Sequence, residues 1–388
     1  MGRRRVAWVV CVALSALGCG GGDDAYVFSS CPLSSLEEVT RATPLGEASF
    51  DASGVTPAQT AFAGAGFVAV ALDDTSRCVT VETLRAGSTS LVEAMDYGLT
   101  CASCAQRVTV MRGGGIFPLP SDGTAFRATA SFTLGLRDCL SYGAPMPTAT
   151  PVTATLWTVF ARDEPLTRRA VLRVDLVSLP GSWLAGVDDA TADRFARAVS
   201  AELSDANLDV QVASRCALGG AVADVTINDH DDGPIEVIRS RARGACMTYG
   251  SRVGDPRVTV IAAPCVRTDG LAAPGYTTRV AAGFTPIGVP EGVVVGGACE
   301  GAPAVVDGFP EGLVRATAHE LGHYLGLYHS VDSRFGDDRL SDTDANNLMH
   351  ADVTLATSRG LSATQARVMR RHPAIRWPRA AFTACAAR

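Results

Sequence analysis

Three histidines, His319, His323 and His329, with Glu320 beside the first and Gly326 between the last two, constrain this chain more than any other feature. Residues four apart on an α-helix stand one turn above each other on the same face, so His319 and His323 can close on one cation. Zinc-to-imidazole bonds of about 2.0–2.1 Å fit that span. Gly326 can take the left-handed conformation that ends a helix, folding the chain back so that His329 reaches the ion from outside. Three neutral imidazoles leave a fourth position open for water, the mark of a catalytic rather than a structural zinc site. Glu320, next to the first ligand and turned aside from it, suits a general base working on that water. The chain has only six histidines in 388 residues, so three in this register point to ligation rather than packing.

The residues around the motif predict its setting. Leu313, Val314, Thr317, Leu321, Tyr324 and Leu325 form an apolar stripe at helical spacing, with Gly308 and Pro310 ahead of it and the proline expected in the first turn. From about Ala170 strands and helices alternate. Ala170 to Leu179 reads as a buried strand, a helix follows Asp188 and Asp189, and Leu208 to Val212, Val222 to Ile227, Val258 to Ala263 and Gly292 to Gly297 read as further strands of a mixed sheet. Before that, short Val/Thr/Phe segments such as Cys78 to Leu84, Arg107 to Met111, Phe126 to Leu136 and Thr153 to Phe160 are cut by Gly, Ser and Pro, which favours a β-sandwich or small barrel. The charged turn Arg162-Asp163-Glu164-Pro165 sets the boundary, giving an all-β domain over 31–160 and an α+β domain over 168–388.

The stretch from His319 to His329 matches H-E-x-x-H-x-x-G-x-x-H at every specified position and resembles the metzincin metalloproteases. Ser330 after the third histidine is closest to the matrixin pattern. The resemblance spans about Ala170 to Pro373. It implies a mixed twisted sheet, an active-site helix, a C-terminal helix over Ser362 to Arg371, and a methionine turn beneath the metal, for which Asn347-Leu348-Met349-His350 is the candidate. Met349 is then a packing floor and not a ligand. Zn2+ is the implied cofactor, a polypeptide the implied substrate and endopeptidase the implied activity: zinc acidifies a water and polarises the scissile carbonyl, and Glu320 carries the proton to the leaving amine. The pattern departs from matrixins in lacking Tyr-Pro after Met349, and Ala351 stands where astacins place a tyrosine. His350 is a candidate for holding substrate or the oxyanion, the alternative being a solvent-facing turn histidine. Val293 to Gly297 is expected to form the cleft rim and pair with an extended substrate. Acidic runs at Asn228–Asp232 and from Asp337 to Asp344 are weighed as Ca2+ ligands against solvated loops.

Residues 1–18 read as a signal peptide, with Arg3–Arg5 ahead of a short apolar run from Val6 to Leu17. Cys19 follows as a lipid-anchor candidate and 19–30 as a tether, so export with anchoring to the bacterial envelope is expected, or secretion if the lipobox goes unused. The membrane is then met only through the lipid. Every one of the 34 basic residues is arginine, a usage expected of a GC-rich bacterial genome. The net charge of -6 is spread without a basic run, which argues against nucleic-acid partners. Beyond Cys11 and Cys19, ten cysteines remain for disulfides, five in each half; full pairing requires a bridge between the halves, and otherwise one thiol in each stays free. Residues 31–160 are read as an accessory domain or as a pro-segment released by a cut within Ala161 to Thr167. The competing reading of the whole is a cell-surface binding or adhesion lipoprotein with a degenerate protease domain, against which the intact Glu320 speaks. Oligomeric state is not readable.

Overall fold

The computed structural model describes residues 36–37, 41–92, 109–120, 122–139, 144–160, 163–221, 224–228, 233–246, 249, 255–282, 291–297, 299, 305–306, 308–310, 312–331, 337–338, 340–352 and 360–379. The expected leader, Cys19, the tether and four of the candidate cysteines (Cys31, Cys101, Cys104 and Cys385) lie outside these, as does most of the Asn228–Asp232 run.

The N-terminal half builds two antiparallel sheets. One orders Arg41–Ser49, Thr153–Phe160, Phe67–Leu72 and Gly114–Pro118; the other orders Gln59–Ala61, Ala130–Arg137, Cys78–Ala86 and Thr89–Val92, with Met111–Arg112 paired to the Cys78 strand. Val68, Val70, Val79, Val81, Leu84, Phe117, Phe132, Leu134 and Leu156 close one apolar core from both sheets. Period-2 alternation puts these residues on inward faces. Phe67–Leu72, read FVAVAL, is apolar on both faces because its outward residues Phe67 and Ala69 are also covered, in a cluster with Ile116, Val159 and Ala281 of the C-terminal half. The Cys78–Cys139 disulfide ties the start of one central strand to the end of its neighbour.

The C-terminal half is organised by Ala170–Ser178, a strand buried along all nine residues. It pairs in parallel with Leu208–Ala217 on one side and with Val258–Ala263 on the other; Val293–Gly296 continues in parallel, and Gly275–Thr277 closes that end antiparallel. Ile375–Pro378 returns antiparallel to Val171–Leu172 and carries Leu36–Glu37 as a further short strand, so a segment from the N-terminal region completes this sheet. Parallel strands covered on both faces need layers above and below. Helices α1 (Asp189–Glu202), α3 (Leu313–Tyr324) and α4 (Ala363–Arg371) pack on the face bearing Leu172, Val174 and Leu176. Helix α2 (Gly233–Ala245) covers Val177, Ile261 and Val294 on the other.

Local chemistry fixes the helix ends. The Asp188 carboxylate accepts the Thr191 N–H at the start of α1, and Ser362 and Gln365 form a reciprocal capping box at the start of α4. Arg173 and Asp175, inward on the buried strand, are neutralised by Asp255 and Arg257 at 2.6 and 3.1 Å. Such pairing is what a buried charge requires.

Two expectations change here. Pro310 lies in a two-residue strand paired with Val305–Val306, and α3 begins only at Leu313 after Gly312, so the proline precedes the first helical turn. Val293–Gly296 is an interior strand, paired on both edges and fully buried, and therefore cannot serve as a rim for substrate. The three described disulfides, Cys78–Cys139, Cys216–Cys246 and Cys265–Cys299, each lie within one half of the chain, and the four cysteines on which a bridge between the halves depends lie outside the described residues.

Candidate metal centre

Helix α3 carries His319, Glu320 and His323, and its end is set by Gly326 with φ of 106°. The chain then turns through Leu327 and Tyr328 and returns His329 toward the helix. The three imidazoles offer ligand atoms that all lie within 4.8 Å of one another, and Nε2 of His323 is 3.0 Å from Nε2 of His329. Two nitrogens bound tetrahedrally to one zinc stand about 3.3 Å apart, as follows from bonds of about 2.05 Å. The His323–His329 pair thus stands at nearly the spacing that such an ion requires, with a ligand atom of His319 within 4.8 Å of both. Among the described residues the trio is the one group of three metal-binding side chains so placed.

The other ring nitrogens show which tautomers are present. Nδ1 of His319 lies 2.8 Å from the Leu348 carbonyl and Nδ1 of His323 lies 2.7 Å from the Leu327 carbonyl. A carbonyl only accepts, so both Nδ1 atoms carry the proton and both Nε2 atoms present a lone pair inward. This is the outer-shell arrangement that orients metal-binding histidines. Burial, followed by the neighbouring His329, pushes the His319 pKa down to about 3, which keeps its ring neutral and ready to ligate. Three gathered imidazoles, two of them held as the Nδ1–H tautomer, are a donor set that fits zinc.

Met349 lies beneath the helix. It is fully buried, and a Cβ added at Gly322 would meet its Sδ at 2.5 Å, so the sulfur packs against bare helix backbone. The turn that holds it is braced: Asn347 Oδ1 accepts the Met349 N–H, and Asn347 Nδ2 donates to Gln365 Oε1 of α4. Ser330 N–H donates to the Met349 carbonyl and Asp338 N–H to the His329 carbonyl, so the segment carrying His329 and the turn carrying Met349 are hydrogen-bonded into one unit.

Glu320 faces the edge strand. Thr277 Oγ1 lies 2.7 Å from Glu320 Oε2 and 2.8 Å from the Glu320 carbonyl, and a Cβ at Gly275 would meet the Glu320 Cγ at 2.5 Å. Only glycine at 275 leaves room for the carboxyl. Burial raises its pKa to about 7, against a smaller lowering by the Thr277 hydrogen bond. A carboxyl poised near neutrality both takes and returns a proton readily. Gly275 and Thr277 were not singled out from sequence; two isolated small residues more than forty positions upstream of Glu320 carry no periodic signal.

His350 follows Met349 on the turn, partly exposed, and its Nδ1 lies 3.0 Å from both the backbone nitrogen and the carbonyl oxygen of Asp352. It is near enough to His319 to help lower that residue's pKa. The acidic residues weighed for calcium are otherwise engaged. Asp338 accepts from Leu340 N–H and Gln365, Asp342 from the Thr364 N–H and hydroxyl, and Asp344 from the Asn346 N–H. They cap turns and a helix start, and the calcium expectation finds no support among the described residues.

No protein-family model matches this sequence, and no curated protein is significantly similar to it. The fold overlaps solved structures only in part. Metalloproteinase-II from Bacteroides fragilis overlaps with a TM-score of 0.33 at 16% identity, over 55% of this chain and 57% of that one. Archaemetzincin from Methanopyrus kandleri overlaps with a TM-score of 0.26 at 19% identity, over 52% and 87%. A family two carbohydrate esterase from Cellvibrio japonicus overlaps at 0.15 and 12%. This chain therefore spans little more than half of the Bacteroides protein it overlaps. At these scores the assignment rests on the histidine geometry.

Proposed function

We propose that the chain is a zinc-dependent endopeptidase of metzincin type, with His319, His323 and His329 holding the metal and Glu320 acting as general base. Zinc held there supplies Lewis acidity, polarising a scissile carbonyl and bringing the pKa of a water toward neutrality. Glu320 takes the proton from the attacking water and delivers it to the leaving amide nitrogen. Thr277 engages Oε2, so Oε1 is the atom assigned to that transfer. Met349 packs beneath the helix, and His350, beside it on the turn, is the candidate donor to the developing oxyanion.

The observation that carries the reading is the gathering of three imidazoles, two of them with Nε2 lone pairs turned inward, beside a buried carboxyl with a pKa of about 7. Substrate class follows from the neighbouring strand. Gly275–Thr277 ends its sheet, holds Glu320 at one face, and is paired on one edge only among the described residues, so an extended polypeptide can add there as a further strand. Residues 1–18 and Cys19 support export and lipid anchoring, which would make envelope or extracellular proteins the substrates.

A peptide library digested by the purified protein tests the reading. Cleavage should require zinc, stop with chelator, and fall by about 10²–10⁴-fold in Glu320→Ala while zinc remains bound. Undiminished cleavage by Glu320→Ala would refute the mechanism.

A further inference from the structure

We infer that the N-terminal β-unit is a fixed part of the metal centre, holding the C-terminal end of α3 through the strap Thr278–Ala282, with Arg279 as the positioning residue. The inference rests on the zinc reading above and adds a role for residues 31–160.

The strap follows directly on the edge strand. Its first residue is tied to the sheet by the Thr278 N–H to the Gly292 carbonyl and by the Gly292 N–H to the Thr278 hydroxyl. Its last two residues cap α3: the Ala281 N–H donates to the carbonyl of His323, and the Ala282 N–H to that of Tyr324. Carbonyls at a helix end have no partner within the helix; the His323 carbonyl takes the Gly326 N–H as well as that of Ala281, so the strap and the Gly326 turn meet on one oxygen. His323 is itself a proposed ligand, and the Gly326 turn toward His329 begins three residues later.

Between these ends the strap is held by the other half of the chain. Arg279, only 5% exposed, donates from Nε to the Gly114 carbonyl at 3.1 Å and from Nη2 to the Arg112 carbonyl at 2.7 Å. Ala281, fully buried, sits in the left-handed region at φ 56° and packs with Phe67, Ala69, Ile116 and Val159 of the β-sheet. A non-glycine residue keeps such a conformation only where its surroundings impose it. Those surroundings are the N-terminal sheet on one side and the end of α3 on the other. A chain of direct contacts thus runs from Arg112 and Gly114 through Arg279 and Ala281 to the backbone of His323.

The segment between the halves is held as well. Arg370 of α4, itself buried, donates to the carbonyls of Pro165 and Arg168, which pins the stretch considered above as a cut site. On this arrangement, removing residues 31–160 releases the strap and weakens the metal site, the reverse of what release of a blocking pro-segment would do.

Zinc affinity of the full-length protein, measured by competition with a chromophoric chelator below each variant's melting temperature, tests this. Arg279→Met should bind zinc about tenfold or more weakly, and Arg279→Lys, which keeps the charge and one donor, should fall between it and the wild type. Arg371→Met provides the contrast. It removes a bond of the same kind between the halves, from Nη1 to the Gly123 carbonyl, without touching the strap. Its melting temperature should drop while its zinc affinity stays at the wild-type value. Wild-type affinity in Arg279→Met, or an equal loss in Arg371→Met, would overturn the inference. If Arg279→Met does not fold, wild-type affinity in Arg279→Lys overturns it. A wild-type protein without zinc affinity would defeat the function proposed above as well, whereas failure confined to the variants defeats this inference alone.

Discussion

At the scale of single residues, the candidate site is shaped by what is left out as much as by its histidines. Gly275 and Gly322 each bring bare backbone where a side chain would collide, with the Glu320 carboxyl in one case and the Met349 sulfur in the other. Gly275→Ala should therefore displace Glu320, lowering kcat by about tenfold or more while zinc stoichiometry stays unchanged, as read from steady-state kinetics beside metal analysis. A normal kcat would show that the carboxyl has another position open to it. The Glu320 pKa of about 7 makes a second claim. In metal-free protein its carboxyl should titrate near neutrality by carbon-13 NMR, and a midpoint at the ordinary carboxylate value would contradict the burial argument. Because the folded pKa lies above the unfolded one, this group's contribution to stability is full below about 4.5 and is lost as pH rises through 7.

At the scale of elements, what could be read from sequence depended on whether the signal was local. Helix α3, its Gly326 ending, the strand Ala170–Ser178, and α1 and α4 with their caps are written in contiguous periodicity and capping residues. Helix α2 escaped notice because it buries only Ile235, Ile238 and Ala242 among its arginines, too narrow a stripe to stand out. Strand order in a parallel sheet is a non-local property, so sequence points to Val293–Gly297 as the sheet's edge while the strand that ends the sheet is Gly275–Thr277, three residues with no alternation to mark them. Likewise the brace from Asn347 to Gln365 and the carbonyls of Leu327 and Leu348 that fix the histidine tautomers exist only once the chain has folded. If the edge strand receives substrate, N-methylation of alternate backbone amides in a good peptide substrate should raise KM at positions that donate to Gly275–Thr277 and leave the intervening ones unaffected. Equal turnover across the series would dismiss strand pairing. Replacing Cys216 and Cys246 by alanine, which frees the end of α2 from the strand Leu208–Ala217, should lower unfolding free energy in urea by about 2–4 kcal/mol.

At the scale of the whole molecule, the two halves share buried residues and behave as one folded body. His372 shows this well. It packs edge-on to Phe67 of the N-terminal sheet and against Tyr324 of α3, and burial drives its pKa down to about 3. Since the folded value lies below the unfolded 6.5, the stability this residue contributes is complete above about 6.5 and is lost as pH falls toward 3. His319 acts in the same direction in metal-free protein. Denaturant titrations with chelator present should therefore show stability falling on acidification through this window, with the fall reduced in His372→Gln. An unchanged acid limb in that variant would contradict the burial of a neutral imidazole between the halves.

The central claim is that three imidazoles share one cation. Anomalous X-ray scattering recorded on either side of the zinc absorption edge, from crystals of the purified protein, tests it most directly. The expected result is a single strong zinc peak about 2.0–2.1 Å from Nε2 of His319 and His323 and bound also by the His329 ring, with Glu320 outside the coordination sphere. Absence of a peak there, or a metal held by other residues while these rings point apart, would contradict it.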